Sequence, residues 1–350
     1  MKKATQKVTA STAQPGLRIG FVGLGVMGAP MASHLHRAGH TLTLLDLNAD
    51  TSASLAKSLG GKARAVTSLK KLAEQSDVVI TMLPNGSAVQ EVVLGNSGGK
   101  GGGKDCLAAG LRPGSLLLDT SSSEPWLTKA TAERLAAQGV AMVDAPVSGA
   151  AWGAEAADLV FMAGGDQADL ARVRPLLDTM GRAVFHLGPS GSGHAMKCIN
   201  NLVTAITFSA TAEGLVIGKS YGLDPAAMLQ VMNLSTSQSW ITQNHIGQRV
   251  LSRSFDDPFK LELMLKDIGI AATLARGNGN SVPLTGLTQQ LWQAADIAAG
   301  AGASVSELVR WVERQSGVEI TPGPVLPGRA GAKSSRKPAV KAKSAALKKS

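Results

Sequence analysis

Cysteine is scarce in this chain: of 350 residues only Cys106 and Cys198 are cysteines. One pair of that kind gives neither a disulfide framework nor metal-ligand spacing, so a reducing cytoplasm and no metal are expected. Long apolar runs are also missing. None approaches the roughly 18 uninterrupted residues of a membrane crossing, which leaves no membrane partner to expect. The first 16 residues lack an apolar stretch, which argues against a secretory signal. Acids are absent from both ends, and this gives the net charge of +10 its meaning. Three lysines precede residue 17 and eight Lys or Arg follow residue 321, leaving 24 basic against 25 acidic residues between them. The body is therefore close to neutral. Residues 1–16 read as a disordered extension and 318–350 as a disordered basic tail, because a Lys-, Ala-, Ser-, Pro- and Gly-rich segment buries too little apolar surface to order itself. A solvated appendage is the expectation for the tail, with weak nucleic-acid contact as the alternative.

What is present begins at Leu17. A short apolar run, Leu17-Arg18-Ile19-Gly20-Phe21-Val22, reads as a buried parallel strand. Gly23-Leu24-Gly25-Val26-Met27-Gly28 follows as G-x-G-x-x-G. In that pattern the first glycine makes the tight turn, the second lets a pyrophosphate approach the backbone, and the third lets the helix pack closely. The anion would sit on free N–H groups at a helix N-terminus. Thr41–Leu45 is a second strand, and it ends in Asp46. That acid lies 18 residues after Gly28, near the roughly 20 expected for a carboxylate on adenosine ribose hydroxyls. A charged Asp46 followed by uncharged Leu47 points to NAD rather than NADP.

Further apolar runs at Ser76–Pro84, Ser115–Asp119 and Val140–Asp144 alternate with helical stretches at Ala29–Gly39, Asn48–Leu59, Ser87–Leu94 and Pro125–Gln138. Strands alternating with helices predict a doubly wound (Rossmann) parallel sheet over residues 17–188, with its ligand beyond the carboxyl ends of the strands. Past Gly188 the grammar changes. Ala195–Gly218, Pro225–Met232, Phe259–Arg276, Leu284–Gly300 and Val305–Gln315 all read as helical, which predicts an all-α substrate and oligomerisation domain over 189–317.

Four polar segments stand where a core would not want them: Asp119–Pro125, Asp144–Ala150, Gly188–Asn201 and Phe259–Asp267. In the third, Lys197 and Asn201 are four apart and share a helix face. A lysine in the first turns of an apolar helix opposes the helix dipole. Dipole and burial both depress its pKa, as proton transfer near neutrality requires.

These blocks resemble the β-hydroxyacid dehydrogenase family. The resemblance spans Leu17 to Trp292 and rests on GFVGLGVMGAPMA from Gly20, TMLPNGSAV from Thr81, DTSSSEP from Asp119, DAPVSGAAWGA from Asp144, GSGHAMKCINN from Gly191 and LKDIGIA from Leu265. It implies an NAD(P)-dependent transfer of hydride between nicotinamide and a short 3-hydroxy acid or semialdehyde. Lys197 would be the catalytic acid/base and Asn201 its substrate-binding companion; Ser121, Ser148 and Gly149 would bind the substrate carboxylate. Leu83, Pro84, Asn85 and Ser122 would line the cofactor beside the glycine loop, with Lys266 reaching toward the nicotinamide side. A homo-oligomer, dimer or tetramer, is expected. The chain departs from the family pattern at Ala150, where a second glycine is usual, at Ser122-Ser123, and at His194 and Cys198. The blocks therefore leave open 3-hydroxyisobutyrate, tartronate semialdehyde, L-threonate and glyoxylate or succinic semialdehyde as substrates. A non-catalytic binding protein acting through its basic tail is the reading from another class.

Overall fold

The computed structural model describes residues 16–95 and 103–323. The expectations for residues 1–15 and 324–350 lie outside the described residues.

The first two-thirds of the sheet region run β1 (Arg18–Val22), α1 (Gly28–Arg37), β2 (Thr41–Leu45), α2 (Ala49–Leu59), β3 (Ala63–Ala65), α3 (Leu69–Glu74), β4 (Val78–Thr81) and α4 (Gly86–Leu94). After a single 3-10 turn come β5 (Leu116–Asp119), α5 (Pro125–Ala136) and β6 (Ala141–Asp144). All six strands are parallel, in the order β3-β2-β1-β4-β5-β6. The chain starts at the middle of the sheet and winds outward in both directions, so the β1 and β4 ends flank the point where strand order reverses. That is where a doubly wound sheet opens a crevice. Ile19, Phe21, Leu42, Leu44, Ile80, Leu116 and Leu118 fill one face of the sheet and are fully buried. Continuous apolar runs suit strands covered on both sides.

Two features here differ from the sequence reading. Ala63–Ala65 is a strand although it is short and contains Arg64, because the exposed edge of β2 offers its hydrogen bonds. Between β6 and the helical region lies a second sheet, with β7 (Val147–Ser148) antiparallel to β8 (Leu159–Ala163) and β8 parallel to β9 (Gly181–His186). It is connected through α6 (Ala150–Glu155) and α7 (Gln167–Met180).

From α8 (Ser192–Tyr221) onward the chain is helical: α9 (Pro225–Leu234), α10 (Trp240–Asn244), one π-helical stretch at Ile246–Leu251, α11 (Leu261–Gly277), α12 (Pro283–Ala299) and α13 (Glu307–Ser316). Helix α8 starts earlier than Ala195 because Gly191, at φ 91°, supplies the left-handed entry. It is the one described helix long and apolar enough to cross a membrane. Its stripe of Ala205, Phe208, Ala212 and Leu215 instead builds the helical core with Met264, Ile268, Trp292 and Leu308. The 3–4 residue spacing of that stripe is what one helix face requires.

The boundary expected at residue 317 needs correction. Ile320 is fully buried, and its N–H donates to Glu313 Oε1 at 2.7 Å. Lys219 Nζ donates to the Thr321 carbonyl at 2.8 Å, and the Gly323 N–H donates to Asp224 Oδ1 at 2.7 Å. Residues 318–323 are thus tied to the helical region rather than belonging to a disordered tail.

Candidate active site

The glycine turn has the geometry its spacing predicts. Gly23 sits at φ 93° and donates its N–H to the Leu45 carbonyl at 3.0 Å. A Cβ on Gly28 would stand 1.9 Å from the Gly23 carbonyl oxygen, so only glycine lets α1 approach. A Cβ on Gly25 would meet nothing within 4 Å, and the backbone there is open to a close approach from outside. Leu24 is buried beneath the turn, Val26 is exposed and Met27 is half-buried at the N-cap of α1. Asp46 Oδ2 accepts the Leu24 N–H at 2.7 Å and Oδ1 accepts the Asn48 N–H at 2.9 Å. The carboxylate at the end of β2 is therefore held against the glycine turn. An open Gly25, the α1 N-terminus and this fixed carboxylate together suit a dinucleotide: pyrophosphate over the turn and ribose hydroxyls on Asp46.

Next along the sheet, the loops after β4 and β5 are joined. The Leu83 N–H donates to Ser121 Oγ at 2.9 Å, and Ser121 is fully buried. Asn85 Oδ1 caps α4 by accepting the Ala88 N–H at 2.8 Å, and Glu124 Oε2 accepts the Gly86 N–H at 3.0 Å. Lys266, from α11, donates to the Pro84 carbonyl at 3.2 Å and also to the Ser122 carbonyl. Its ammonium lies 3.2 Å from Asp267 Oδ1. Taken alone, a Lys-Asp pair reads as easily as a surface ion pair; here the Asp267 side chain is almost wholly buried and the pair clamps α11 onto two loops of the sheet.

Helix α8 brings Lys197 and Asn201 to the same place. Asn201 Nδ2 donates to Asp267 Oδ2 at 2.6 Å. Lys197 Nζ makes no hydrogen bond among the described residues. Burial pushes its pKa below the ordinary 10.5; the Asp267 carboxylate opposes that shift and the Lys266 charge adds to it. A lysine amine with a depressed pKa, one helical turn from an amide whose second N–H has no partner among the described residues, can exchange a proton with a hydroxyl oxygen. The neighbouring Cys198 thiol is pushed up to about 12, chiefly by burial, and donates to the Ala195 carbonyl at 3.0 Å. It stays a neutral packing group.

Ser148 and Gly149 stand at the end of β7 and the N-cap of α6, with Gly149 at φ 139°. No hydrogen bond joins them to the Lys197 group among the described residues. Ala150 next to them holds φ 55°, a left-handed conformation that a Cβ disfavours.

Three buried side chains organise the site without having been singled out by spacing. Asp119 accepts from the Thr81 hydroxyl at 2.9 Å, the Ser121 N–H at 3.1 Å and the Ser123 hydroxyl at 3.3 Å. Asp144 accepts the N–H groups of Gly191 at 2.7 Å and His194 at 3.0 Å, so it caps α8 from another element. His194 sits between these two carboxylates. The available signal is an acid terminating each of two fully apolar strands, β5 and β6, where a carboxylate needs a buried reason to exist.

A parallel sheet of this order, a glycine turn open at its second position and a poised lysine at the sheet's carboxyl edge define a dinucleotide-dependent oxidoreductase. Comparisons with known proteins agree. Residues 18–188 match the NAD binding domain of 6-phosphogluconate dehydrogenase, and residues 191–312 match the NAD-binding domain of NADP-dependent 3-hydroxyisobutyrate dehydrogenase. The chain is 36% identical over 280 residues to 3-hydroxyisobutyrate dehydrogenase of Pseudomonas aeruginosa, covering 78% of this chain and 90% of that one. It is 31% identical over 310 residues to 2-(hydroxymethyl)glutarate dehydrogenase of Eubacterium barkeri, covering 89% of this chain and 99% of that one. Among solved structures, 3-hydroxyisobutyrate dehydrogenase of Mycobacterium tuberculosis with L-serine superposes with a TM-score of 0.76 at 30% identity, covering 85% of this chain and 99% of that one. The chain belongs to the β-hydroxyacid dehydrogenase family and is an NAD(P)-dependent oxidoreductase acting on CH–OH groups.

Proposed function

We propose that this enzyme interconverts a short 3-hydroxy acid and its semialdehyde, with residues 17–188 holding the dinucleotide and the helical region from 189 closing over the substrate. The observation that carries the reading is Lys197: an amine of depressed pKa, one helical turn from Asn201, facing the Asp267 and Lys266 pair. Bound nicotinamide would supply the hydride acceptor or donor. The chain's own residues orient the acid and move the proton. Gly23 to Gly28 and Asp46 hold the dinucleotide on one side of the crevice, while Leu83, Pro84, Asn85, Ser122 and Lys266 form its wall on the other. Ser121, with Ser148 and Gly149, receives the substrate carboxylate. Asn201, fixed through Asp267, presents its remaining N–H to the substrate hydroxyl oxygen. In oxidation the neutral Lys197 amine takes the hydroxyl proton, and in reduction its ammonium returns it to the carbonyl oxygen.

Relatives named for 3-hydroxyisobutyrate, 2-(hydroxymethyl)glutarate and L-serine all share a carboxylate with a CH–OH on the next carbon but one, or its equivalent, which supports that substrate class. Exposed Ile199 and Val203 on α8 support assembly with a second copy of the chain, and the two buried thiols suit a cytoplasmic setting. The reading is tested by steady-state turnover of a panel containing those three acids plus tartronate semialdehyde. Turnover of at least one member, lost in Lys197→Ala, is expected; no turnover of any member with either dinucleotide overturns it.

A further inference from the structure

His194 bridges the two halves of the site. Its ring is fully buried. Nε2 lies 3.0 Å from the Ser121 carbonyl oxygen, an obligate acceptor, so Nε2 carries a proton and donates. Nδ1 lies 2.7 Å from the Thr128 hydroxyl on α5, and the His194 main-chain N–H is held by Asp144 Oδ2 at 3.0 Å. On either side stand the Asp119 and Asp144 carboxylates, 3.7 Å from Nε2 and 3.8 Å from Nδ1. The Ser121 N–H donates to Asp119 and its Oγ accepts from Leu83, which leaves the hydroxyl proton for a carboxylate and the carbonyl as the handle by which another element can fix the residue. Three residues further along α8, one helical turn from the ring, is Lys197.

We propose that His194 is a positioning residue that sets the separation between the carboxylate seat at Ser121 and the proton-transferring amine of Lys197. The inference rests on the reading of Lys197 given above. The imidazole suits the task for a physical reason. It is a rigid plane with a polar atom at each end, so it fixes α5, α8 and the β5–α5 loop at one spacing, where an apolar side chain would fill the volume and leave the Ser121 carbonyl buried without a donor. Misplacing a reacting group by about 1 Å costs on the order of 10²-fold in rate.

The experiment compares His194→Phe, which keeps a flat ring and removes both polar ends, with His194→Gln, whose amide can donate to Ser121 and accept from Thr128. His194→Phe is expected to raise KM for the acid and lower kcat by about tenfold each, with dinucleotide affinity within about twofold of wild type, while His194→Gln recovers most of the loss. Hydrogen exchange of the 121–123 amides gives a second readout, expected to quicken in His194→Phe and not in His194→Gln. The proposal is overturned if His194→Phe leaves KM, kcat and exchange unchanged, or if the two variants are equally impaired in all three. Should the wild type turn over none of the acids, the reading of Lys197 fails by that result, and the exchange comparison still decides whether His194 holds Ser121.

Discussion

Asn201 donates to Asp267 across the α8–α11 junction at 2.6 Å, one turn beyond Lys197, while the adjacent Lys266 holds the Pro84 and Ser122 carbonyls. The helix carrying Lys197, the helix carrying Lys266 and the loops after β4 and β5 are therefore one hydrogen-bonded unit. Asp267 does two jobs in it. It orients the Asn201 amide, and it raises the Lys197 pKa against the burial that lowers it.

From that electrostatics follows a pH prediction. Lys197→Ala should lower kcat by roughly 10²–10⁴-fold and erase the pH limb that belongs to the amine. Asp267→Asn should instead shift that limb to lower pH, because an opposing negative charge is gone. Steady-state pH profiles of the three proteins check both. A Lys197→Ala variant with wild-type turnover would falsify the acid/base role.

Stability carries the opposite sign. The native pKa of Lys197 lies below its ordinary 10.5, so between the two values the unfolded chain binds more protons and stability rises with pH. Below the native pKa the protonated amine is a cost to the fold. Lys197→Met should therefore be inactive yet more stable than wild type at neutral pH, by about 1 kcal/mol, with the gain shrinking as pH approaches the ordinary value. Urea midpoints measured across that range are the check.

The glycines of the turn should separate binding from folding. A methyl on Gly25 meets no atom within 4 Å, so Gly25→Ala should melt with the wild type and lose dinucleotide affinity. A methyl on Gly28 meets a carbonyl oxygen at 1.9 Å, so Gly28→Ala should lose stability as well. Calorimetric titration beside thermal melts distinguishes the two. In steady-state turnover NAD should outperform NADP by at least about tenfold in kcat/KM, since Asp46 repels a 2′-phosphate; Asp46→Ala should narrow that gap.

Ala150 is a residue with a backbone better suited to glycine. At φ 55° its Cβ crowds the chain, and Ala150→Gly should raise the denaturant midpoint by an amount equal to roughly 1 kcal/mol with an unchanged m value. A loss of stability on this substitution would show that Ala150 carries no strain at this φ.

At the other end of the chain, cutting after Gly323 should leave melting and turnover unaltered. Cutting after Gly317 removes the buried Ile320 and the Glu319 partner of Arg253, and should destabilise the helical region. Ile320→Ala alone should cost about 2–5 kcal/mol, as other large-to-small core changes do. Equal melting points for the two truncations would remove Ile320 from the core.

Much of this protein can be read from residues in a row. β1, β2, β4, β5 and β6 are short apolar runs with glycine or acid boundaries, and a strand buried on both faces has no other composition open to it. The dinucleotide turn is legible from its spacing, although only Gly28 answers a steric demand from within the turn, at the Gly23 carbonyl; Gly23 is crowded by Met82 after β4, and Gly25 is left open to a ligand. Lys197 and Asn201 declare a shared face by their spacing alone. The small sheet of β7, β8 and β9 is a different matter. Two-residue β7 and largely exposed β9 are strands only because β8 stands between them, and no periodicity within either segment specifies that partner. Likewise β3 exists by virtue of the free edge of β2.

The site divides along the same line. Its chemistry resides in side chains whose type and order the chain itself determines: an acid after β2, a lysine early in α8, a lysine-acid pair in α11. Their effectiveness is decided only in three dimensions. Burial lowers the Lys197 pKa, and burial is a property of everything packed around α8. His194 meets Ser121, 73 positions away, because the carboxylates of Asp119 and Asp144 end neighbouring strands and draw the loop and the helix N-terminus together. Local sequence can set which groups are available. A low-dielectric enclosure, and the distances that make proton transfer possible within it, come from contacts between segments far apart in the chain, and those only the folded structure supplies.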